Sequence, residues 1–422
     1  MNLEHSYQLK PFSFTVCYAF KSIRNMEPKA TSYTYIIVGA GIAGISAIKK
    51  IRELDLVNPI LLISDEDRMP YKRTKINKSI ATGFEKEAFQ LYEPEWYLQN
   101  NVELCFAKVY NVFLHEHKLL VNGNTLVTYQ KLLLATGSIP IYPAIKGIVA
   151  SDNVDVHFAR NVAALIQVTA LLSRFLIIGG SVEGLETANQ LSKMGKTVTV
   201  VERSMNPLSR FFPEYITSQI YDALKKAGVT YLPGTTIAEL VKTPKNTFQL
   251  INNQKTLEFD RIIVCAGTRP NTELAQKACL DMGKGVLVNE FMQTSNPDVF
   301  AAGDVAQHPN GEVTGLWHSS EFQGFCAGTN MVELGTNYQP VPTRLKTNLF
   351  GGFYFSANFN LSQAEGINVV KEEKGTLIRE FYIKDGLVVG LVMANDKERD
   401  KLYQKAVAEK WTMEEVFEKT RL

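Results

Sequence analysis

Two stretches of this chain run from a buried strand through a glycine-rich turn into a helix, and no other feature limits the fold as tightly. The first is Tyr35-Ile-Ile-Val-Gly39-Ala40-Gly41-Ile-Ala-Gly44-Ile-Ser-Ala-Ile-Lys-Lys-Ile51. Its opening β-branched and aromatic residues have the pattern of a parallel strand buried on both faces. Its second half spaces apolar residues for a helix and contains no proline. Each glycine answers a steric need: Gly39 the tight turn, Gly41 the approach of backbone to a pyrophosphate, and Gly44 the packing of helix on strand. Phosphates would then meet the free N–H groups and positive dipole end of the helix. A glycine turn alone is often only structural. Here a second apolar run at residues 60–63 leads into Asp65-Glu66-Asp67, where a carboxylate can accept a ribose hydroxyl. The stretch predicts a dinucleotide site.

The second stretch is Phe175-Leu-Ile-Ile-Gly179-Gly180-Ser181-Val-Glu183-Gly184-Leu-Glu186, with a helix continuing through Ala188 and Leu191. A strand at residues 197–201 follows and ends on Glu202. Both units close on a buried strand that ends in small residues. The first closes on Lys131-Leu-Leu-Leu-Ala135-Thr136-Gly137-Ser138-Ile-Pro140, the second on Arg261-Ile-Ile-Val-Cys265-Ala-Gly267-Thr-Arg-Pro-Asn271. Units about 140 residues apart with the same plan are an internal duplication and imply two dinucleotide sites. The alternation of strand and helix makes the fold class α/β, with two Rossmann-like domains. A Gly303-Asp304 pair then ends a short strand, Trp317 precedes a helix over 319–331, and the pattern changes beyond about residue 338. There, runs at 375–383 and 386–393 flank Lys384-Asp385-Gly386 as a hairpin, and the charged segment 396–419 has helical spacing. This is a small α+β C-terminal domain.

Composition narrows the function. With 45% hydrophobic and 21% charged residues the chain is a globular protein, and its net charge of +2 gives no reason to expect nucleic acid or an anionic membrane as partner. No stretch approaches the ~20 apolar residues of a membrane span. The five cysteines (Cys17, Cys105, Cys265, Cys279 and Cys326) form no CxxC or CxxxxC, which argues against a metal site or disulfide framework and for a reducing, cytoplasmic setting. Cys265 is expected to be a small buried hydrophobe. Residues 1–31 are expected to be a disordered leader, with a targeting segment as the alternative and Met26 as a second possible start.

With these motifs in order, residues 33–420 resemble the two-dinucleotide flavoprotein reductases of the pyridine nucleotide–disulfide oxidoreductase fold. They are most similar to the rubredoxin and ferredoxin reductase branch and to the flavin part of NADH-dependent nitrite reductases. The branch rests on Pro70-Tyr71-x-Arg73 with Lys78, on Trp317 with Gln323-Gly324, and on the C-terminal hairpin. The resemblance implies an FAD domain (32–148 and 263–337), an inserted NAD domain (149–262) and a C-terminal domain (338–422). It implies that Gly39, Ala40, Gly41 and Gly44 cradle the FAD pyrophosphate, Glu66 holds the adenosine ribose, and Val109 gives adenine a backbone contact. Arg73 and Lys78 would contact the phosphate and isoalloxazine ends, Ala135, Thr136 and Gly137 would line the cofactor, and Gly303 with Asp304 would meet the ribityl chain. In the second unit Gly179, Gly180 and Gly184 match the NAD turn, Glu202 the ribose acid and Gly267 a late backbone contact. A carboxylate at 202 accepts a 2′-hydroxyl and repels a 2′-phosphate, which favours NADH over NADPH, with Arg203 beside it as a counterweight.

The catalytic expectation is a Lys78–Glu186 pair beside the flavin, with Trp317 at the flavin–nicotinamide junction. The region after Tyr71 that carries reactive cysteines in other branches holds none, so electrons are expected to leave the flavin directly for a small iron–sulfur or rubredoxin-type protein. Lys72, Arg73, Lys75 and Lys78 form a basic patch suited to steering an acidic partner. Ser181 and Glu183 depart from the family pattern at the NADH turn and put its affinity in question. No metal site is expected, and a homodimer is compatible with the family. The alternatives are an NADH oxidase or diaphorase using oxygen or quinone, an NADH-sensing flavoprotein similar to apoptosis-inducing factor, and the flavin component of a larger reductase.

Overall fold

The apolar residues ahead of Gly39 form the strand around which the first unit is laid down. The computed structural model describes residues 26–81, 89–147, 154–156, 172–206, 208–245, 247–252 and 255–420. In chain order the first unit comprises β1 (Ser32–Val38), α1 (Ile42–Leu54), β2 (Ile60–Ser64), β3 (Val102–Phe106), β4 (Val109–Phe113), β5 (Lys118–Val121) and β6 (Thr125–Leu134). Its sheet runs β3-β2-β1-β6-β5-β4. The strands from β3 to β6 are parallel, and β4, β5 and the start of β6 form an antiparallel meander. Ile36, Ile37 and the whole of β2 are buried, as a sheet covered on both faces requires.

The second unit repeats the plan with β7 (Val154–Val156), β8 (Arg174–Ile178), α2 (Val182–Lys193), β9 (Thr197–Val201), α3 (Glu214–Lys226), β10 (Thr230–Leu232) and β11 (Arg261–Val264). Its parallel order is β10-β9-β8-β11-β7. Around the founding strand the sequence of neighbours is the same in both units, which is the duplication read from the glycine turns. Strand β11 pairs with β8 through Val264, so the second sheet extends past the expected division at residue 262. The chain passes between the units through Ser138–Pro140 and returns through Thr268–Pro270, and the two passes pair antiparallel. Thr136 Oγ1 donates to the Asn271 carbonyl at 2.8 Å and the Asn271 N–H to the Gly137 carbonyl at 2.9 Å, tying the crossing together.

After the return, β12 (Val299–Ala301) adds to the free side of β6, and α4 (Trp317–Val332) packs on α1. This helix pair is close because of small residues. A Cβ on Gly324 would fall 2.2 Å from the Ala43 carbonyl oxygen, and one on Gly328 would fall 2.5 Å from that of Ala47. Gly324→Ala is therefore expected to destabilise the protein by about 3 kcal/mol through overpacking of backbone on backbone, read as a lowered unfolding midpoint. An unchanged midpoint would show that the seam can open at no cost.

The C-terminal unit is an antiparallel sheet of β13 (Arg344–Leu349), β14 (Gly352–Ala357), β15 (Asn368–Lys374), β16 (Leu377–Lys384) and β17 (Leu387–Ala394), ordered β13-β14-β17-β16-β15. The expected hairpin is β16–β17: Lys384 pairs with Leu387, and Asp385 (φ +51) and Gly386 (φ +78) form its two-residue turn. The helical segment predicted at 396–419 is two helices, α5 (Asp400–Ala408) and α6 (Met413–Thr420). The break comes where Lys410 takes φ +54 and Thr412 with Glu415 forms a reciprocal capping box. One sheet face packs Phe353, Phe355 and Phe381 on Tyr403 and Trp411, while the other packs Tyr354, Tyr382 and Val392 on the second unit. Of the expected leader, residues 1–25 lie outside the described residues. Within 26–31, the Lys29 N–H donates to Glu103 Oε1 at 2.7 Å and the Thr31 carbonyl accepts from the Thr128 N–H at 2.8 Å.

Candidate active site

A cleft of about 1660 Å³ opens between the units, and the carboxyl ends of both parallel sheets face it. The predicted site residues Gly39, Ala40, Gly41, Glu66, Arg73, Lys78, Val109, Ala135, Thr136, Gly137, Gly179, Gly180, Glu186, Glu202, Gly267, Gly303, Asp304 and Trp317 all line it. Gly44 and Gly184 stand behind the wall, where Cβ atoms would come within 2.1 Å of the Gly39 and Gly179 carbonyl oxygens respectively. Their role is packing of helix on turn.

The first glycine turn separates three demands. Gly39 has φ +117, and a Cβ there would lie 2.1 Å from the Ala135 carbonyl oxygen. Gly41 caps α1 with φ −77 and ψ −179, a conformation open to any residue. No atom beyond its own chain neighbours lies within 4 Å of a Cβ built on it. The protein itself therefore leaves residue 41 unconstrained, and the space in front of it opens on the cleft. A pyrophosphate against the N-terminus of α1 fits that cradle.

Glu66 follows β2 and is fixed by two partners: Arg73 Nη1 at 2.7 Å from Oε1, and the Tyr71 hydroxyl donating to Oε2 at 2.9 Å. Arg73, expected at a phosphate, turns Nη1 onto Glu66 and lies over the Tyr71 ring at 5.0 Å, at the wall of the cleft. Asp304 accepts from the Ser138 hydroxyl at 2.9 Å and the Ser320 hydroxyl at 3.2 Å. The preceding Gly303 N–H donates to buried Gln323 Oε1 at 2.7 Å, and Gln323 Nε2 lies 2.9 Å from His308 Nε2. Tyr71, Ser138 and Ser320 thus orient the two acids, and Gln323 holds the backbone of Gly303. The motifs containing Tyr71, Ser138 and Gln323 were visible in the sequence, but their contacts were not.

In the second turn Ser181 holds a position that any residue can adopt. It is the N-cap of α2 at φ −64, accepting from the Gly184 N–H at 3.3 Å and donating to the Cys265 carbonyl at 3.1 Å. Glu202 accepts the Gly180 N–H at 2.5 Å through Oε2 and the Ser204 N–H at 2.7 Å through Oε1. A Cβ on Gly180 would press within 3.1 Å of the Glu202 side chain, which explains a glycine there. Glu183, in the first turn of α2, also lines the cleft.

Lys78 Nζ stands 3.3 Å from Glu186 Oε1, so the structure brings the expected pair together across 108 residues of chain. Lys78 is exposed and Glu186 buried, and burial pushes the glutamic acid pKa up while Lys78 and the Thr347 hydroxyl pull it back. Trp317, half-buried, is the first residue of α4 at the same cleft. The basic patch is divided: Arg73 and Lys78 are bound to Glu66 and Glu186, leaving the half-buried Lys72 and Lys75 as its outward part. Cys105, Cys265 and Cys326 are buried and unpaired, Cys279 is exposed, and Cys17 lies outside the described residues. Cys265 is the one described cysteine lining the cleft, and burial pushes its thiol up, away from thiolate chemistry. Among the described residues there is no cluster of three metal-binding side chains and no helix long and apolar enough to cross a membrane.

The family model described as pyridine nucleotide-disulphide oxidoreductase matches residues 33–324. A terpredoxin reductase from Pseudomonas sp is 29% identical over 369 residues, covering 86% of this chain and 90% of the relative. A nitric oxide reductase FlRd-NAD(+) reductase from Klebsiella pneumoniae is 27% identical over 298 residues, covering 70% and 78%. Among solved structures, the covalent putidaredoxin reductase–putidaredoxin complex superposes with a TM-score of 0.79 at 20% identity, covering 90% of this chain and 94% of the matched chain.

Proposed function

The chain belongs to the pyridine nucleotide-disulphide oxidoreductase family, a flavin- and pyridine nucleotide-dependent class of oxidoreductase, and on that footing we propose that it takes hydride from NADH onto FAD and passes the electrons singly to a small iron–sulfur or rubredoxin-type protein in the cytoplasm. The observation that carries this reading is the shared cleft: both glycine turns open on it, and the one described thiol at its wall is a lone buried one. The relatives named for terpredoxin and for FlRd and NAD(+) support a protein acceptor and NADH.

The first unit with residues 265–337 would hold FAD. Gly39 to Gly41 and the start of α1 take its pyrophosphate, Glu66 the adenosine ribose, Val109 the adenine, Asp304 the ribityl chain, and Ala135 to Gly137 the space between. When bound, FAD supplies the hydride acceptor and the conversion from two-electron to one-electron transfer. Every other task falls to the chain. Gly179, Gly180 and the N-terminus of α2 receive the NADH pyrophosphate, Glu202 its ribose, and Gly267 gives a backbone contact. Lys78 and Glu186 orient the nicotinamide electrostatically, and Trp317 closes the junction against water, so that position and field rather than a covalent carrier bring about the transfer.

The test is steady-state reduction of a rubredoxin and of a [2Fe–2S] ferredoxin by NADH, run beside oxygen consumption. Rapid reduction of either protein with slow oxygen uptake is the expected result. Oxygen consumption as fast as protein reduction would make the chain an oxidase. For the acceptor, Lys72→Glu with Lys75→Glu is expected to lower kcat/KM roughly 3- to 10-fold at low salt, the difference closing at high ionic strength. A kcat/KM indifferent to salt in both proteins would remove the steering role.

A further inference from the structure

Helix α2 buries polar side chains where a helix packed on a sheet normally buries aliphatic ones. Glu186, Thr187, Asn189 and Gln190 are all buried. Two of them reach into the C-terminal unit. Thr347 Oγ1 donates to Glu186 Oε1 at 2.8 Å, and Asn189 Oδ1 accepts the Phe350 N–H at 2.9 Å. Residues 186 and 189 share a helix face. Thr347 and Phe350 belong to β13 and the turn that follows it. In that turn Phe350 (φ +49) and Gly351 (φ +88) join the paired residues Leu349 and Gly352. A phenylalanine holds a left-handed conformation only where its surroundings fix it, and Asn189 is one such restraint.

Thr347 has 0% exposure, while its neighbours Lys346 and Asn348 are exposed on the opposite face of β13. Strand alternation places Thr347 on the inward face with Leu349, where an aliphatic residue would suffice for packing. Its hydroxyl instead meets the same Glu186 oxygen that faces Lys78 Nζ. The charged groups facing the carboxyl are Lys78, from the turn at Asn77–Ser79, and Glu183, one turn earlier on α2 itself. Burial and Glu183 favour the neutral acid, and Lys78 and Thr347 favour the carboxylate.

We propose that Thr347 is a positioning residue for the Lys78–Glu186 pair, its hydroxyl holding the Glu186 Oε1 toward Lys78, so that the C-terminal unit completes the site. This rests on the reading of that pair as the electrostatic partner of the reacting nicotinamide. Valine at 347 keeps the shape and removes the donor. The Glu186 carboxyl then protonates at higher pH, and the pair is lost sooner as pH falls.

The experiment compares wild type, Thr347→Val, Thr347→Ser and Glu186→Gln as flavin-loaded proteins. Two quantities are followed against pH: anaerobic flavin reduction by NADH, and the infrared band of the carboxyl group that Glu186→Gln abolishes. Thr347→Val is expected to move both titrations up by about one pH unit, and Thr347→Ser to return them to wild type. Thr347→Ala serves as the donor-less variant if valine prevents folding, and it should show the same shift. Titrations that superimpose in the donor-less variant and wild type, with Glu186→Gln slow, would overturn the role of Thr347 alone. A Glu186→Gln protein that reduces its flavin at the wild-type rate at every pH would overturn the pair and this inference together.

Discussion

Gly41→Val is expected to give a folded but colourless protein. Residue 41 sits in extended backbone at φ −77, and a Cβ built there has no atom beyond its own chain neighbours within 4 Å. Folding therefore does not require glycine at this position. The proposed FAD site does, because a pyrophosphate lying on the N-terminus of α1 needs the backbone itself within reach. The expected result is a far-ultraviolet dichroism spectrum like wild type with flavin occupancy reduced on the order of tenfold or more, the second glycine of the turn being the one reserved for backbone approach. Gly39→Val should behave differently. At φ +117, with the Ala135 carbonyl oxygen 2.1 Å from a Cβ, the substitution strikes the sheet itself and should abolish soluble protein. Two glycines two residues apart are thus expected to fail by different routes. A yellow Gly41→Val protein with full flavin content would show that the cofactor does not lie on this turn.

The second large effect is expected at Glu202. Its carboxylate is tied by the Gly180 and Ser204 N–H groups and retains lone pairs toward the cleft. In the proposed NADH site, Glu202→Ala removes the ribose acceptor and the charge that would repel a 2′-phosphate, while Arg203 and Arg210 remain at the same wall. The NADH-to-NADPH ratio of kcat/KM is expected to fall roughly 10- to 100-fold, the scale of a hydrogen bond to a charged group. The loss should appear mainly in KM for NADH, since the ribose contact is the same before and during hydride transfer. A ratio unchanged by the substitution would mean that the ribose is read elsewhere.

Both predictions concern parts of the molecule that were legible in the sequence, and the reason is local. A residue such as Gly39 or Gly179 is required by its own backbone and by the strand beside it, so the strand–turn–helix pattern carries its geometry with it. The Asp385-Gly386 turn is legible for the same reason, as both residues need φ > 0. The break between α5 and α6 was available in Thr412 and Glu415 but was outweighed by continuous helical spacing. What the sequence could not give is contact across the fold. Thr347 lies 161 residues from Glu186, and nothing in the alternation of β13 distinguishes its hydroxyl from packing. Likewise, the spacing of Arg73 and Lys78 suggested a single basic patch, and only the fold shows both turned onto carboxylates. The second sheet's extension through Val264 was hidden because an apolar run shows no mark where it leaves one sheet for another.

The measurement that tests the central claim most directly is an anaerobic titration of the flavin-loaded protein with NADH, followed by addition of a rubredoxin or ferredoxin. The claim is that hydride enters and electrons leave with no thiol carrier between. One equivalent of NADH per flavin should then bleach the flavin fully, and the protein acceptor should restore its colour faster than air does. A need for two equivalents before full bleaching would reveal a second two-electron store such as a redox-active disulfide, and would contradict the account.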